Sequence, residues 1–338
     1  MSMEILKPQK LLDENGALTV HGWCKDPLLQ YDRDDIKTSR LRIKEWESYL
    51  LISDVCALQL SIADHGTVGL VSATLLDFQN GFHHTETIKQ RLSFGRMDLP
   101  ASSVHGDATY TKKRIGMNFS KAALKRYLKC DLINFVNGKN LYVQLELDEN
   151  PHDTLVCALP FSHDPHYFHY SQKTIYSHIQ GLVRCGGEEY SFHNDSSFGL
   201  MDWGRSVWPR STFWNAACCH GVIGETPFSF YLSDGPSDSR EVSQSAYFLN
   251  GNLYKLEGIQ FIPPSKNSSQ WQILSQDQQI TVTFEPAIPY HKELRCGLGS
   301  HHNQLLFGLF SGQIHGQHGT LSFGPIAGFL ESVNNQMW

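Results

Sequence analysis

Residues 198 to 221, FGLMDWGRSVWPRSTFWNAACCHG, gather one Asp, two Arg, three Trp and a Cys-Cys-His run into one short stretch. Read as a strand, its alternation puts Leu200, Asp202 and Gly204 on one face and Met201, Trp203 and Arg205 on the other. A carboxylate sharing a face with Leu200 is exposed, ion-paired (to Arg205, Arg210 or Arg42), or tuned by burial towards proton-donor chemistry. Trp203 and Arg205 share the opposite face, where a guanidinium over an indole gains about 1 kcal/mol as a cation–π contact. Pro209 interrupts regular pairing, so Trp208, Arg210 and Trp214 are expected from a loop folded over a barrel mouth, with Phe213 and Asn215 beside them. The indoles serve as core or pocket wall. Cys218-Cys219 next to His220 has the residue types of a nucleophile and its base, but neighbours on a strand point apart, so packed thiols are the simpler reading.

A second cluster lies in RLRIKEWESYLLISD, residues 40 to 54. Strand alternation places Arg42, Lys44 and Trp46 on one face and Glu45 and Glu47 on the other. This is either a solvated strand with ordinary cross-strand ion pairs or a wall that meets the Trp-rich loop. Glu45 and Glu225 are the carboxylates considered as partners for Asp202. The run His163-Asp-Pro-His166-Tyr-Phe-His169 has metal-binding residue types, yet Pro165 opposes a helix and a strand would send His163 and His166 to opposite faces. Surface or hydrogen-bonding histidines are therefore expected there, and no metal.

The elements that must position these side chains read as all-β. Short apolar-alternating runs are separated by turns such as Asp64-His65-Gly66 and His315-Gly316-Gln317-His318-Gly319. One helix is expected over 120 to 132, capped by Ser120, and a second short one near Phe329 to Asn334. The Pro- and His-interrupted segment 159 to 173 divides two strand-rich halves, 1–172 and 173–338, each long enough for an antiparallel barrel of about eight strands.

With 338 residues, 41% apolar content and a net charge of −6, the chain can bury a large core and lacks the basic footprint of a nucleic-acid or membrane-surface binder. No run reaches the length of a spanning helix and the first residues hold no signal-peptide pattern, so a cytoplasmic address with reduced cysteines is expected. Phosphate-loop, GxGxxG, HExxH and GxSxG motifs are absent, and with them nucleotide, zincin and α/β-hydrolase chemistry.

GWCKDPLLQYDRDDI, RIKEWESYLLISD, MDWGRSVWPRSTFWN, LNGNLYKL and NQLLFGLFSG, and above all DWGRSVWP followed by TFWN, resemble the domain of unknown function 2804. That resemblance implies a calycin-like fold, two lipocalin-like barrels side by side. DWG is more distantly similar to the motif of carotenoid 1,2-hydratase-like proteins, which implies Asp202 as proton donor. The chain departs from its family at Ser206, where Gly is usual, and at Ser243-Gln244-Ser245, where Thr-Glu-Asn is common; if that Glu is catalytic in relatives, this chain binds without turnover. The resulting expectation is a pocket at a barrel mouth or between barrels, lined by Trp203, Trp208, Phe213, Trp214, Asn215, Trp46 and Glu45. Its partner would be a small apolar or sugar-like molecule. As an enzyme it would be a cofactor-independent lyase, hydratase, isomerase or cyclase, with Asp202 donating a proton and Arg205 holding an oxygen. A non-catalytic carrier or sensor and a glycan-processing carboxylate pair are the alternatives.

Overall fold

The computed structural model describes residues 2–149, 152–194, 196–237, 243–265, 268–296, 299–317 and 319–336; at 292, 294–296 and 299 it describes the backbone alone. His318 of the last turn and the Cys296 thiol therefore lie outside the described residues.

Among the described residues the chain is built of strands, antiparallel in the three large sheets and parallel in the short pair Gln9–Lys10 and Leu29–Gln30, with two single 3₁₀ turns, Arg33–Asp35 and Arg40–Arg42. Neither expected helix forms. Residues 120 to 132 make the hairpin of Ile115–Ala122 and Lys125–Val136, turned at Ala123 with φ 54°. Leu128, Cys130 and Leu132 are buried, whereas Lys129 and Asp131 between them are exposed: the period is two, and burial follows it. Residues 329 to 334 belong to the long strand Gly319–Gln336. Arg42 sits in a 3₁₀ turn rather than on the strand face of Lys44 and Trp46.

Three large sheets form the body. An eight-stranded sheet runs in the order Gly22–Cys24, Leu155–Pro160, Phe168–Tyr176, Phe198–Val207, Ile43–Ile52, Cys56–Asp64, Val68–Asp77, Phe82–Arg91. A six-stranded sheet, from Glu188–Phe192 across to Ala108–Lys112, covers one of its faces. Between them lies a core that includes Tyr49, Leu58, Leu60, Phe119, Leu128, Leu145 and Trp203. The nine-stranded sheet curls into a nearly closed barrel around Phe230, Phe284, Phe310 and Leu330, its two edge strands Asn252–Leu256 and Ile259–Ile262 being consecutive in the chain.

The other face of the eight-stranded sheet packs on the outside of this barrel through Leu50, Leu200, Cys157, Tyr231, Phe307 and Phe329. Each fully buried Leu or Phe of this kind contributes roughly 1.5–3 kcal/mol. Position 172/173 falls inside Phe168–Tyr176, which pairs with Leu155–Pro160 and Phe198–Val207; the change from one set of sheets to the next comes later, between Val207 and Ser211. No helix among the described residues is long and apolar enough to cross a membrane.

Candidate active site

The strand Phe198–Val207 is central to the eight-stranded sheet, and its two faces separate the sequence-selected residues. Met201, Trp203 and Val207 point into the core against the six-stranded sheet, while Phe198 and Leu200 face the barrel. Arg205 is wholly buried on the first side: it donates to the backbone carbonyls of Trp46 (2.9 Å), Gly204 (2.7 Å) and Pro100, and its guanidinium lies 4.3 Å from the Trp203 ring. Glu45 is there too, accepting from Tyr31 Oη at 2.7 Å and from Arg33. The structure thus separates Trp203, Arg205 and Glu45 from Asp202. Phe213 is 54% exposed, and Asn215 is tied to Asp234 through three hydrogen bonds of 2.7–3.1 Å. Glu225 is exposed in the turn between Ile223 and Thr226.

Asp202 faces a cleft of about 190 Å³ between the eight-stranded sheet and the barrel wall. Its cationic partner is Lys173, directly opposite on the next strand, rather than an arginine. Asp202 Oδ1 accepts from Lys173 Nζ at 2.5 Å and from Trp46 Nε1 at 2.8 Å. Lys173 is nearly buried, its Nζ 5.3 Å from the Tyr231 ring centre. Gly204, opposite Trp46, is required: a Cβ there would stand 2.1 Å from the indole.

Three indoles meet in the cleft. Trp46 packs edge-on to Trp208 at 5.4 Å, and Trp208 edge-on to Trp214 at 5.5 Å. Trp208 belongs to the loop after Val207, while Trp214 is already in the strand Ser211–Ile223. Each directs its N–H at a different group: Trp46 at Asp202, Trp208 at His169 Nδ1 (3.2 Å), and Trp214 at Glu331 Oε1 (3.2 Å). An indole can only donate, so His169 Nδ1 is the accepting nitrogen and Nε2 carries the proton. His169 stacks on Trp46 at 5.7 Å; burial, reinforced by the Lys173 charge, pulls its pKa down to about 3. Gln244 hydrogen-bonds to this imidazole and accepts from Ser171 Oγ at 3.0 Å.

Glu331, on the barrel strand Gly319–Gln336, is the residue that sequence reading passes over. It lines the same cleft as Asp202, and Asn303 Nδ2 donates to its Oε2 at 3.4 Å. Burial first, and then the Asp202 charge, push the Glu331 carboxyl above the ordinary range for Glu. Glu331 follows Phe329 and precedes Val333 in an alternating run, the same signal that picked out Asp202. A helical reading of those residues hides it.

His163, His166, His220, Cys218 and Cys219 lie away from the cleft. His166 pairs with Asp164 at 2.9 Å, and among the described residues no three His, Cys, Asp or Glu side chains converge as a metal site requires. Cys218 and Cys219 are buried on opposite faces of their strand, and burial raises both thiols.

Among solved structures, CghA crystallised with Sch210972 aligns over 89% of this chain and 90% of its own, at 11% identity and a TM-score of 0.56. A candidate AttH from Nitrosomonas europaea aligns over 91% and 98%, at 12% identity and a TM-score of 0.52. These likenesses extend along the chain and concern its fold. Comparison with curated proteins gives no match. The domain of unknown function DUF2804 matches residues 2–338, so the DWGRSVWP and TFWN segments are read in their own family: the chain belongs to DUF2804.

Proposed function

We propose that the cleft between the eight-stranded sheet and the barrel binds a small organic molecule and carries out cofactor-independent acid–base chemistry of the lyase, hydratase, isomerase or cyclase type. One observation carries this reading: two carboxyl groups in unlike settings, Asp202 ion-paired to Lys173 and Glu331 pushed towards its neutral form, line one indole-walled cleft. Carboxyls set apart in this way divide the roles of acid and base. Glu331 is the better proton donor of the two, a role that sequence alone would give to Asp202. In a hydration, Glu331 would protonate one alkene carbon while Asp202 takes a proton from the water that adds to the other; solvent returns that proton to Glu331. Lys173 positions Asp202, and the faces of Trp46, Trp208 and Trp214 favour a cationic transition state. Arg205, on the far side of the strand, supports the sheet beneath.

The CghA structure that shares this fold was determined with a bound small molecule, which agrees with a small-molecule partner here. For the fold we infer two lipocalin-like units, the eight- and six-stranded sheets forming the first and the nine-stranded sheet the second, with the cleft where they meet.

The test is thermal stabilisation of wild type, Asp202→Asn and Glu331→Gln by terpenoids, fatty acids, phenolics and oligosaccharides, with product analysis of each mixture. A compound that stabilises all three proteins and is converted only by wild type supports the proposal. A compound bound by all three and recovered intact from each favours a carrier.

A further inference from the structure

A row of small polar side chains crosses the floor of the cleft from strand to strand. Asp202 lies opposite Ser48, Ser48 opposite Ser61, Ser61 opposite Ser72, and Ser72 opposite Thr87. Residues directly opposed in an antiparallel sheet project from the same face, and all five line the cleft. Neighbouring strands stand about 4.8 Å apart, so the four hydroxyls mark out a line of roughly 14 Å ending beside the Asp202 carboxylate. Apolar side chains border the row on one side, Trp46, Ala63 and Leu70 being one step along the same strands.

Folding alone does not account for these hydroxyls. No side-chain hydrogen bond with another described residue engages the hydroxyls of Ser48, Ser61, Ser72 or Thr87, although Ser72 is only 6% exposed. One step along, by contrast, Thr74 and Thr85 engage each other at 2.7 Å. A second, independent sign comes from the barrel side of the cleft. Asn303 spends its amide on Glu331, and its carbonyl oxygen Oδ1 is buried without any donor. A buried acceptor left open costs free energy, and it is satisfied by an O–H brought in from outside.

We propose that this cleft takes an elongated, polyhydroxylated neutral molecule, laid across the strands with its oxygens on the Ser48–Ser61–Ser72–Thr87 row, one hydroxyl donating to Asn303 Oδ1, and its reacting end between Asp202 and Glu331. The inference rests on the reading of the cleft as a small-molecule site and narrows the class it accepts: hydrocarbons and simple fatty chains would leave the row unpaired. Hydroxyls of this kind occur on both oligosaccharides and polyphenols, and the test separates the two.

Isothermal titration of cellotetraose, the polyphenol naringenin and farnesol would be run against wild type, Ser61→Ala, Ser72→Ala and the double variant, each checked for an unchanged melting profile. Cellotetraose or naringenin is expected to bind, and which of them does so identifies the source of the hydroxyls. Each lost hydroxyl should weaken that binding between about twofold and tenfold, with a larger loss in the double variant and none for farnesol. The proposal is overturned if neither polyhydroxylated probe binds, if the double variant binds as wild type does, or if farnesol loses as much. A probe bound through the row but recovered intact would refute the acid–base reading and leave the row standing. Conversion by wild type and double variant with equal KM would refute the row alone.

Discussion

Asp202 and Glu331 are one functional group in two environments, and the difference is measurable as stability. Glu331 has a folded-state pKa above its unfolded value, so the stability it contributes is complete below the unfolded value and is lost as pH rises through the folded one. Glu331→Gln cannot ionise. Urea unfolding at pH 5 and pH 8 should show wild type losing more stability than the variant over that interval, by no more than about 1.4 kcal/mol per pH unit. Equal losses would place Glu331 in an ordinary solvated setting. Of the site, Asp202, Trp46, Trp208 and Trp214 are legible in the sequence because aromatic and charged residue types stand close together there. Lys173, His169 and Glu331 join them only through strand register, since Lys173 opposes Asp202 and Glu331 arrives on the strand Gly319–Gln336, opposite Ala216. Arg205 and Glu45 were legible as residues, but alternation sends them to the wrong side of the sheet for the cleft.

At the scale of elements, the β class follows from alternation and turn chemistry, and Asp64-His65-Gly66 does turn, with Gly66 at φ 80°. The segment 120 to 132 misleads because SKAALKRYL has good helix formers, and helix propensity yields to tertiary packing when a period-two apolar face is available. The two readings assign opposite fates to Leu124, which a helix would bury with Leu128 and which the hairpin leaves 71% exposed. Leu128→Ala should therefore cost about 2–5 kcal/mol, whereas Leu124→Ala should stay within about 0.5 kcal/mol, both by urea denaturation. A large penalty at Leu124 would overturn the hairpin.

At the scale of the molecule, the cleft exists because two sheet systems share a core, and that core determines how the protein unfolds. Phe307 packs against Phe78 at 5.3 Å across the junction, among the residues of both systems. Phe307→Ala should lower stability by about 3–5 kcal/mol. In scanning calorimetry the wild type is expected to melt in one transition and this variant to begin separating into two; two resolved transitions already in wild type would show the shared core to be weak. The sequence leaves this arrangement unread because Phe78 and Phe307 are separated by most of the chain. The indole triad gives the assembly a further property. Transition dipoles of closely spaced indoles couple, so Trp46, Trp208 and Trp214, with neighbouring ring centres 5.4–5.5 Å apart, are expected to give an exciton signal that spans both sheet systems. The exciton couplet in circular dichroism is thus an intrinsic gauge of how the two halves are seated, readable without a label and before any ligand is known.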